Sequence, residues 1–186
     1  MPYPNTSCLD IIIGIDPGKV TTFGEVGYNK LEKILYIKPP RKFNTDNVLE
    51  IKNSKTYYKN LSYYNNNLSF IMEQVHSMPK NGVKSLFTFG ESFGFIRGLI
   101  SEDFYLDYVP PLTWKKYLNI LNKGKNGSIE YIKSISDKIC LRYTSRCKKD
   151  DHNIADAYCI AIYYLLLKFK ENKFSNLVKN VEVIER

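Results

Sequence analysis

Apolar residues form five short runs that are bounded by turn-forming residues. The run IIIGID stops at Pro17-Gly18, and the run YLDYV stops at Pro110-Pro111. Short apolar runs between such turn residues are typical of buried strands. The pattern predicts strands at residues 10–16, 21–29, 30–39, 68–75 and 105–110.

Longer segments carry apolar residues at helical spacing, and the most apolar of them is AYCIAIYYLLLKF near the C-terminus. Three strands followed by alternating helices and strands favour an α/β architecture with a five-stranded mixed sheet flanked by helices on both faces. That order suits the ribonuclease H-like fold. The Lys-Asn-rich tail has no assignment. Helices are expected at residues 44–64, 83–100, 112–121, 128–139 and 152–170.

Composition narrows the class of protein. The 186 residues are 44% hydrophobic, enough for one domain, expected at residues 9–170 with terminal extensions at 1–8 and 171–186. No apolar run reaches the ~18 residues that a membrane span needs. Because the N-terminus lacks a basic start and an apolar signal core, we expect an intracellular protein with reduced cysteines.

The net charge of +8 fits a polyanionic partner such as nucleic acid. An AT-rich genome explains the same charge without a functional cause, because it inflates Lys, Asn and Tyr together. Clusters such as KNSKTYYKNLSYYNNN carry that bias. Charge alone therefore favours a nucleic-acid partner only weakly.

Two acidic residues stand at unusual places in the predicted strands. Asp16 ends the first strand directly after Ile12 to Ile15, and Glu73 lies inside the apolar run FIMEQV. A buried carboxylate costs several kcal/mol unless it is paired or bound to a cation. Each residue alone has an explanation that requires no functional site. Asp16 can belong to an Asp-Pro-Gly turn, and Glu73 can be a strand glutamate that faces solvent.

The stretch KDDHNIAD makes a functional site a better explanation of these acidic residues. Asp156 lies one turn inside the last predicted helix among small and apolar neighbours, with Asp151 and His152 five and four positions before it. Capping of a helix N-terminus explains Asp150 or Asp151. It does not explain Asp156.

Several carboxylates in one place repel one another and raise one another's pKa. Such a cluster needs cations to stay ionised, and hard oxygen ligands without cysteine favour Mg²⁺, with Mn²⁺ as a substitute. Two such ions ~4 Å apart activate a water and stabilise the leaving oxygen in phosphodiester hydrolysis. The acidic residues therefore predict a two-metal hydrolase.

Four segments together resemble the RuvC family of Holliday junction resolvases, in particular its phage-type and chloroplast-type branch. The resemblance covers residues 9–168 and rests on the order and spacing of all four, since IGIDPG alone also occurs in other ribonuclease H-like nucleases. The segments are IIIGIDPG, IMEQVHSMPKNGVKSLFTFGESFGFIRGLI, VPPLTWKKYL and KKDDHNIADAYCIAIYYL.

The resemblance implies a homodimeric, metal-dependent Holliday junction resolvase that nicks two strands of four-way junction DNA symmetrically, in recombination, repair or the resolution of replicated genomes. Bacterial members usually place the last two ligands three residues apart, where this chain has Asn153, whereas the chloroplast-type branch uses a spacing of five. His152 is an alternative ligand, or a residue that orients the attacking water, and Asp150 is a weaker substitute that is better explained as a solvated side chain. Carried over by position, the metal-binding carboxylates are Asp16, Glu73, Asp151 and Asp156.

The resemblance also implies DNA-binding residues near the site. The loop after Glu73 would approach the crossover, with His76 or Met78 wedged between bases; an ordinary surface loop is the competing interpretation. Lysines of this loop and of the segment TWKKYLNILNKGKNG are expected to contact phosphates without reading the base sequence. They are Lys80, Lys84, Lys115, Lys116, Lys123 and Lys125.

Two further features are open to interpretation. Gly90, Gly94 and Gly98 fall on one helix face, where each glycine costs ~1 kcal/mol relative to alanine. Close approach of another element of the chain explains them, and so does contact with DNA or with a second protomer. Trp114, the single tryptophan, is expected in the core.

A structure-selective DNA endonuclease is the leading hypothesis. The alternatives are another ribonuclease H-like nuclease, acting on RNA–DNA hybrids or other branched DNA, and a junction-binding protein without catalysis. The intact acidic set argues against the last alternative, because a pure binder gains nothing from carboxylates that face phosphates.

Overall fold

The structure, a computed structural model, describes residues 9–44, 47–64, 67–74, 82–142 and 149–184. The strands are β1 Leu9–Asp16, β2 Val20–Asn29, β3 Ile34–Ile37, β4 Arg41–Asn44, β5 Leu68–Glu73, β6 Leu106–Val109 and β7 Asn180–Val183. The α-helices are α1 Val48–Tyr64, α2 Val83–Ser101, α3 Pro111–Tyr117, α4 Gly127–Ile135, α5 His152–Lys168 and α6 Phe174–Leu177.

The strands of the described residues form one mixed sheet in the order β6-β5-β1-β2-β3-β7, with β4 also paired to β2. β6, β5 and β1 run parallel, whereas β2 is antiparallel to β1, β3 and β4. β3 and β4 pair with successive halves of β2, so they follow one another along the same edge of that strand. The predicted mixed sheet is confirmed, but it has seven strands and not five.

The two strands that were not predicted are β4 and β7. Each has only four residues, reading RKFN and NVEV, and neither contains an apolar run. Pairing with a neighbouring strand defines them, β4 on β2 and β7 on β3, and no local sequence pattern predicts such pairing. The segment after residue 170, expected as a terminal extension, packs on the sheet through β7 and buries Leu177 and Val178.

Each face of the sheet packs against its own helices. Ile12 of β1 belongs to the core shared with α3, α4 and α5, whereas Ile11 and Ile13 belong to the core shared with α1 and α2. This division follows from the alternation of side chains along a strand. The expectation of helices on both faces is confirmed.

The helices α1 to α5 lie close to their predicted positions, whereas α6 was not predicted. α3 and α4 end earlier than expected, and after α3 the chain turns at Asn119, which has a positive φ of 58°. Of the helices in the described residues, none combines the length and apolar character required to cross a membrane.

Candidate active site

Asp16 and Glu73 are the last residues of two neighbouring parallel strands. Ile15 of β1 pairs with Met72 of β5, so the next residue of each strand stands beside the other in the ladder. Ile12 lies four positions before Asp16 and belongs to the core beneath α5. Because side chains alternate between the two faces along a strand, Asp16 faces α5 as Ile12 does, and Glu73, beside Asp16 in the ladder, faces α5 as well. The sheet therefore presents both carboxylates to one helix.

A pair of glycines lets α5 lie directly against the strands. Gly14 of β1 and Gly24 of β2 are opposite each other in the ladder. A Cβ atom on Gly14 would lie 2.1 Å from the carbonyl oxygen of Ala157, and one on Gly24 would lie 2.7 Å from the carbonyl carbon of Ala157. Only glycine allows this approach, which brings Asp156 to the end of β1. Sequence reasoning missed this role, although glycines inside strand patterns are its signal.

Asp16 lies at the centre of an acidic cluster that we define as Asp16, Glu73 and Asp156. Burial raises the pKa of Asp16 well above the ordinary value of 3.8, and the charges of Glu73, Asp156 and Asp151 raise it further. The ammonium of Lys115 acts in the opposite direction. Because charge–charge effects weaken with distance, these carboxylates lie within electrostatic reach of Asp16.

Glu73 is held in place by the single tryptophan. Its side chain is buried, and Oε1 accepts a 3.0 Å hydrogen bond from Nε1 of Trp114, which is fully buried as expected. Burial raises the pKa of Glu73, whereas the hydrogen bond from Trp114 and the charge of Lys115 lower it. The contact gives Trp114 a role at the site that the sequence did not reveal.

Asp156 projects from the second turn of α5. Burial raises the pKa of its carboxyl. A hydrogen bond with the Ser128 side chain of α4 lowers that pKa, as do the charges of Lys115 and His152. His152 is exposed, so its imidazole stands at the solvent side of the acidic cluster.

The two aspartates that precede α5 have separate ion partners. Asp151 caps the helix, because Oδ1 accepts a 3.0 Å hydrogen bond from the backbone N–H of Asn153. Its Oδ2 pairs with Nζ of Lys42 on β4, a residue that sequence reasoning missed. Asp150 pairs instead with Lys133 of α4. Asp151 therefore stands at the edge of the acidic cluster, and Asp150 is engaged elsewhere.

The chemistry of these donors fits a hard divalent cation. Carboxylate oxygens are the ligands that Mg²⁺ and Mn²⁺ prefer, and buried carboxylates with raised pKa values need positive charge to stay ionised. Within the described residues, no three His, Cys, Asp or Glu side chains already form a ready metal cage. Mutual repulsion opposes closer approach of the carboxylates, and a cation between them would remove that opposition.

Of the lysines expected to contact DNA, Lys115 lies at the acidic cluster. Its charge lowers the pKa of all three carboxyls, and its Nζ is 4.9 Å from the ring centroid of Trp114. Lys116 and Lys123 are exposed. The remaining expected residues lie outside what the structure describes, by side chain for Lys84 and Lys125 and entirely for His76, Met78 and Lys80.

The glycines of α2 have no close neighbour in the described part of the chain. A Cβ atom at Gly90, Gly94 or Gly98 would meet nothing within 4 Å. Close packing by another described element is therefore not the reason for them. On the same helix Val83 is 85% exposed and Phe87 is 74% exposed, so α2 presents an apolar face that no described residue covers.

Three solved structures share this architecture, and the first is RuvC from Thermus thermophilus in complex with a Holliday junction substrate. It aligns with a TM-score of 0.58 at 14% identity, over 87% of this chain and 97% of that chain. A second Thermus thermophilus RuvC structure gives a TM-score of 0.59 at 14% identity, over 86% of this chain and 96% of that one. The chain has the fold of RuvC.

The RuvC-like fold also matches the yeast mitochondrial Holliday junction resolvase Ydc2, with a TM-score of 0.55 at 17% identity, over 95% of this chain and 87% of that chain. No protein-family model matches the sequence, and no curated protein does. The predicted ribonuclease H-like fold is confirmed. At these identities the likeness establishes the fold alone, so the function has to be argued from the site.

Proposed function

We propose that this protein is a metal-dependent endonuclease that resolves four-way DNA junctions, a Holliday junction resolvase. The observation that carries the proposal is the convergence of Asp16, Glu73 and Asp156, from three elements of a RuvC-like fold, at one largely buried place. Buried carboxylates in proteins are normally balanced by partners of opposite charge. Here three carboxylates share the ammonium of Lys115, and that imbalance suits a site for divalent cations.

The acidic cluster would hold Mg²⁺, or Mn²⁺ in its place, with two ions per site and Asp151 as the fourth carboxylate ligand. Such ions, when bound, supply an activated water and stabilise the leaving oxygen of a phosphodiester. His152, exposed beside Asp156, is the alternative fourth ligand or the residue that orients the attacking water.

The remaining side chains at the site position the carboxylates and the substrate. Trp114 fixes the direction of Glu73 through a 3.0 Å hydrogen bond, and Ser128 fixes that of Asp156. Lys115 is the lysine whose charge acts on all three carboxyls of the acidic cluster, and it would contact a non-bridging phosphate oxygen. A cation in that position favours the extra negative charge that develops on the phosphate during hydrolysis.

Four-way junction DNA is the proposed substrate. The RuvC of Thermus thermophilus is solved in complex with a Holliday junction substrate, and the net charge of +8 suits a polyanion. Lys116 and Lys123 would contact phosphates, together with Lys80, Lys84 and Lys125, and His76 or Met78 would enter the crossover. Such a substrate places the protein inside a cell, in line with the free thiols of Cys140 and Cys159.

A homodimer matches the symmetry of this substrate, because a four-way junction offers two equivalent scissile positions. The exposed apolar face of α2 is our candidate for the dimer interface. Glycines at positions 90, 94 and 98 leave room for the backbone of a second helix to approach, and Phe87 supplies exposed apolar area. Contiguous exposed apolar area of this kind marks interaction surfaces.

Cleavage of a synthetic four-way junction in Mg²⁺ tests the proposal. The wild-type protein should nick two opposite strands and leave linear duplex DNA and an RNA–DNA hybrid intact. Asp16→Asn should abolish cleavage while junction binding persists, because the change removes a metal ligand and a charge that repels phosphate. Asp137→Asn, the same chemical change at an exposed aspartate, should cut like the wild type.

Two outcomes would contradict the proposal in different ways. Cleavage of the hybrid without cleavage of the junction would indicate another ribonuclease H-like nuclease. Junction binding by the wild type without any cleavage in Mg²⁺ or Mn²⁺ would indicate a binding protein without catalysis.

A further inference from the structure

A lysine ends the row of polar side chains that crosses the sheet at the acidic cluster. Asp16 of β1 lies opposite Thr22 of β2, and Thr22 lies opposite Lys42 of β4. Phe43 belongs to the core on the side of α1 and α2, so the preceding Lys42 faces α5. The row on the α5 side therefore reads Glu73, Asp16, Thr22 and Lys42.

The ammonium of Lys42 reaches from this row to the start of α5. Its Nζ pairs with Oδ2 of Asp151, and the two side chains are 14% and 28% exposed. The other oxygen of Asp151, Oδ1, accepts the capping hydrogen bond from Asn153. Both oxygens of the candidate fourth ligand thus already have a partner.

Lys42 forms its ion pair with Asp151 and not with the carboxylates of the acidic cluster. Thr22 separates it from Asp16, and because neighbouring strands are about 4.8 Å apart, the backbones of Lys42 and Asp16 are about 10 Å apart. The cation that acts on Asp16 is Lys115. Oγ1 of Thr22 is buried and has no hydrogen-bond partner among the described atoms, so it does not bridge the two ends of the row.

We propose that Lys42 is a resident counter-ion that competes with a divalent metal ion for Asp151. This inference rests on the proposed metal-binding function of the acidic cluster. Without metal, Lys42 neutralises Asp151 and keeps it beside the cluster. A metal ion gains this carboxylate only when the ion pair opens, so Lys42 keeps the fourth ligand in place and weakens metal binding.

The neighbouring ion pair supplies a matched control. Asp150 and Lys133 pair in the same way, one residue before Asp151, with side chains 26% and 50% exposed. Lys133→Met therefore removes the same charge as Lys42→Met from a pair on the same segment. The charge of Asp151 acts on Asp16, whereas Asp150 is not among the charges that do. A comparison of the two variants separates competition at the site from a change in net charge.

A Mn²⁺ titration followed by the fluorescence of Trp114 measures the competition. Trp114 is the single tryptophan and is bonded to Glu73, so Mn²⁺ at the acidic cluster should quench its emission. Opening an ion pair whose unit charges are about 3 Å apart costs about a factor of ten in affinity even at the dielectric constant of water. Lys42→Met should bind Mn²⁺ about tenfold more tightly than the wild type, while Lys133→Met should differ from it by less than about twofold.

Equal or weaker Mn²⁺ binding by Lys42→Met would overturn the inference. In an Asp151→Asn background, Lys42→Met should have no effect, and an undiminished effect there would also overturn it. Circular dichroism establishes that each variant is folded, and Lys42→Gln replaces Lys42→Met if the latter is not. A wild-type protein whose Trp114 emission is not quenched overturns the proposed metal site itself, and the inference with it.

Discussion

Replacing Gly14 with alanine should push α5 away from the sheet. The new Cβ atom would lie 2.1 Å from the carbonyl oxygen of Ala157 and 2.6 Å from the backbone nitrogen of Ala161. Both are backbone atoms, so no side-chain rotation relieves the contact. Ordinary van der Waals contact begins at 3.4 Å, and the Ala157 carbonyl must therefore retreat by about 1.3 Å.

The retreat should lower the stability of the protein. α5 is buried along most of its length and packs on β1 and β2 through Ala157, Tyr158 and Ala161. Overpacking of a close-packed core costs about 1–3 kcal/mol, and a clash with helix backbone belongs at the upper end of that range. We expect the free energy of unfolding to fall by about 3 kcal/mol.

The same retreat should move Asp156 away from Asp16 and Glu73. Mg²⁺ requires oxygen ligands at about 2.0–2.1 Å in near-ideal octahedral geometry, so an extra ångström of separation prevents the carboxylates from sharing an ion. A misplacement of about 1 Å at an active site costs about 10²-fold in rate. Junction cleavage should fall by about that factor, and the affinity for Mn²⁺ should fall with it.

Urea unfolding and the fluorescence titration with Mn²⁺ measure the two effects separately. Gly18→Ala is the control, because its Cβ atom would meet only the carbonyl oxygen of Val20, at 3.7 Å. The control should change the free energy of unfolding by less than about 1 kcal/mol. A Gly14→Ala protein with wild-type stability and Mn²⁺ affinity would refute the reasoning, since α5 would then not depend on the glycine pair.

The raised pKa of Asp16, the exposed lysines and the apolar face of α2 each give a further prediction. Because the folded-state pKa of Asp16 lies above 3.8, the metal-free protein should lose stability as the pH rises from about 4 through that raised pKa. Urea unfolding should show a smaller loss in Asp16→Asn, and an equal loss would assign the effect to other groups. Replacing Lys116 and Lys123 with alanine should make junction binding less dependent on salt. The slope of the logarithm of the binding constant against the logarithm of the salt concentration should flatten by about 0.9 for each phosphate that the variant no longer neutralises. An unchanged slope would exclude both lysines from the interface. Phe87→Lys should turn a dimer into a monomer in sedimentation, and a persistent dimer would place the interface away from α2.

The parts of the fold that could be predicted are those whose signal is local. β1 is an uninterrupted apolar run that ends at a turn, and α5 is a long apolar helix with a polar start, so both were evident from the sequence. β4 and β7 were not, because a four-residue polar segment becomes a strand only through the partner that it pairs with. The strands β4 and β7 on one side of the sheet were therefore missed, while its centre and the opposite edge strand β6 were predicted.

The residues of the candidate site also divide into those with a local sequence signal and those without one. Glu73 and Asp156 attracted notice because a carboxylate among apolar neighbours is a local anomaly. The contacts of Gly14 with Ala157 and of Lys42 with Asp151 depend on register across the sheet, and the second joins residues 109 positions apart in sequence. Because β4 was not predicted, nothing in the sequence placed Lys42 beside Asp151 as its counter-ion.

The start of α5 shows why capping and metal binding remained alternatives for Asp151. A helix cap and a metal ligand both require a carboxylate just before the first turn, and the Oδ1 bond to Asn153 satisfies the first requirement alone. Capping does not explain why Oδ2 meets Lys42 at the end of a row that contains Asp16, or why the charge of Asp151 raises the pKa of Asp16. Asp150 pairs with Lys133 of α4, and its charge is not among those that act on Asp16. Oδ1 of Asp151 therefore caps the helix, and Oδ2, which pairs with Lys42, is the oxygen that we propose for a metal ion.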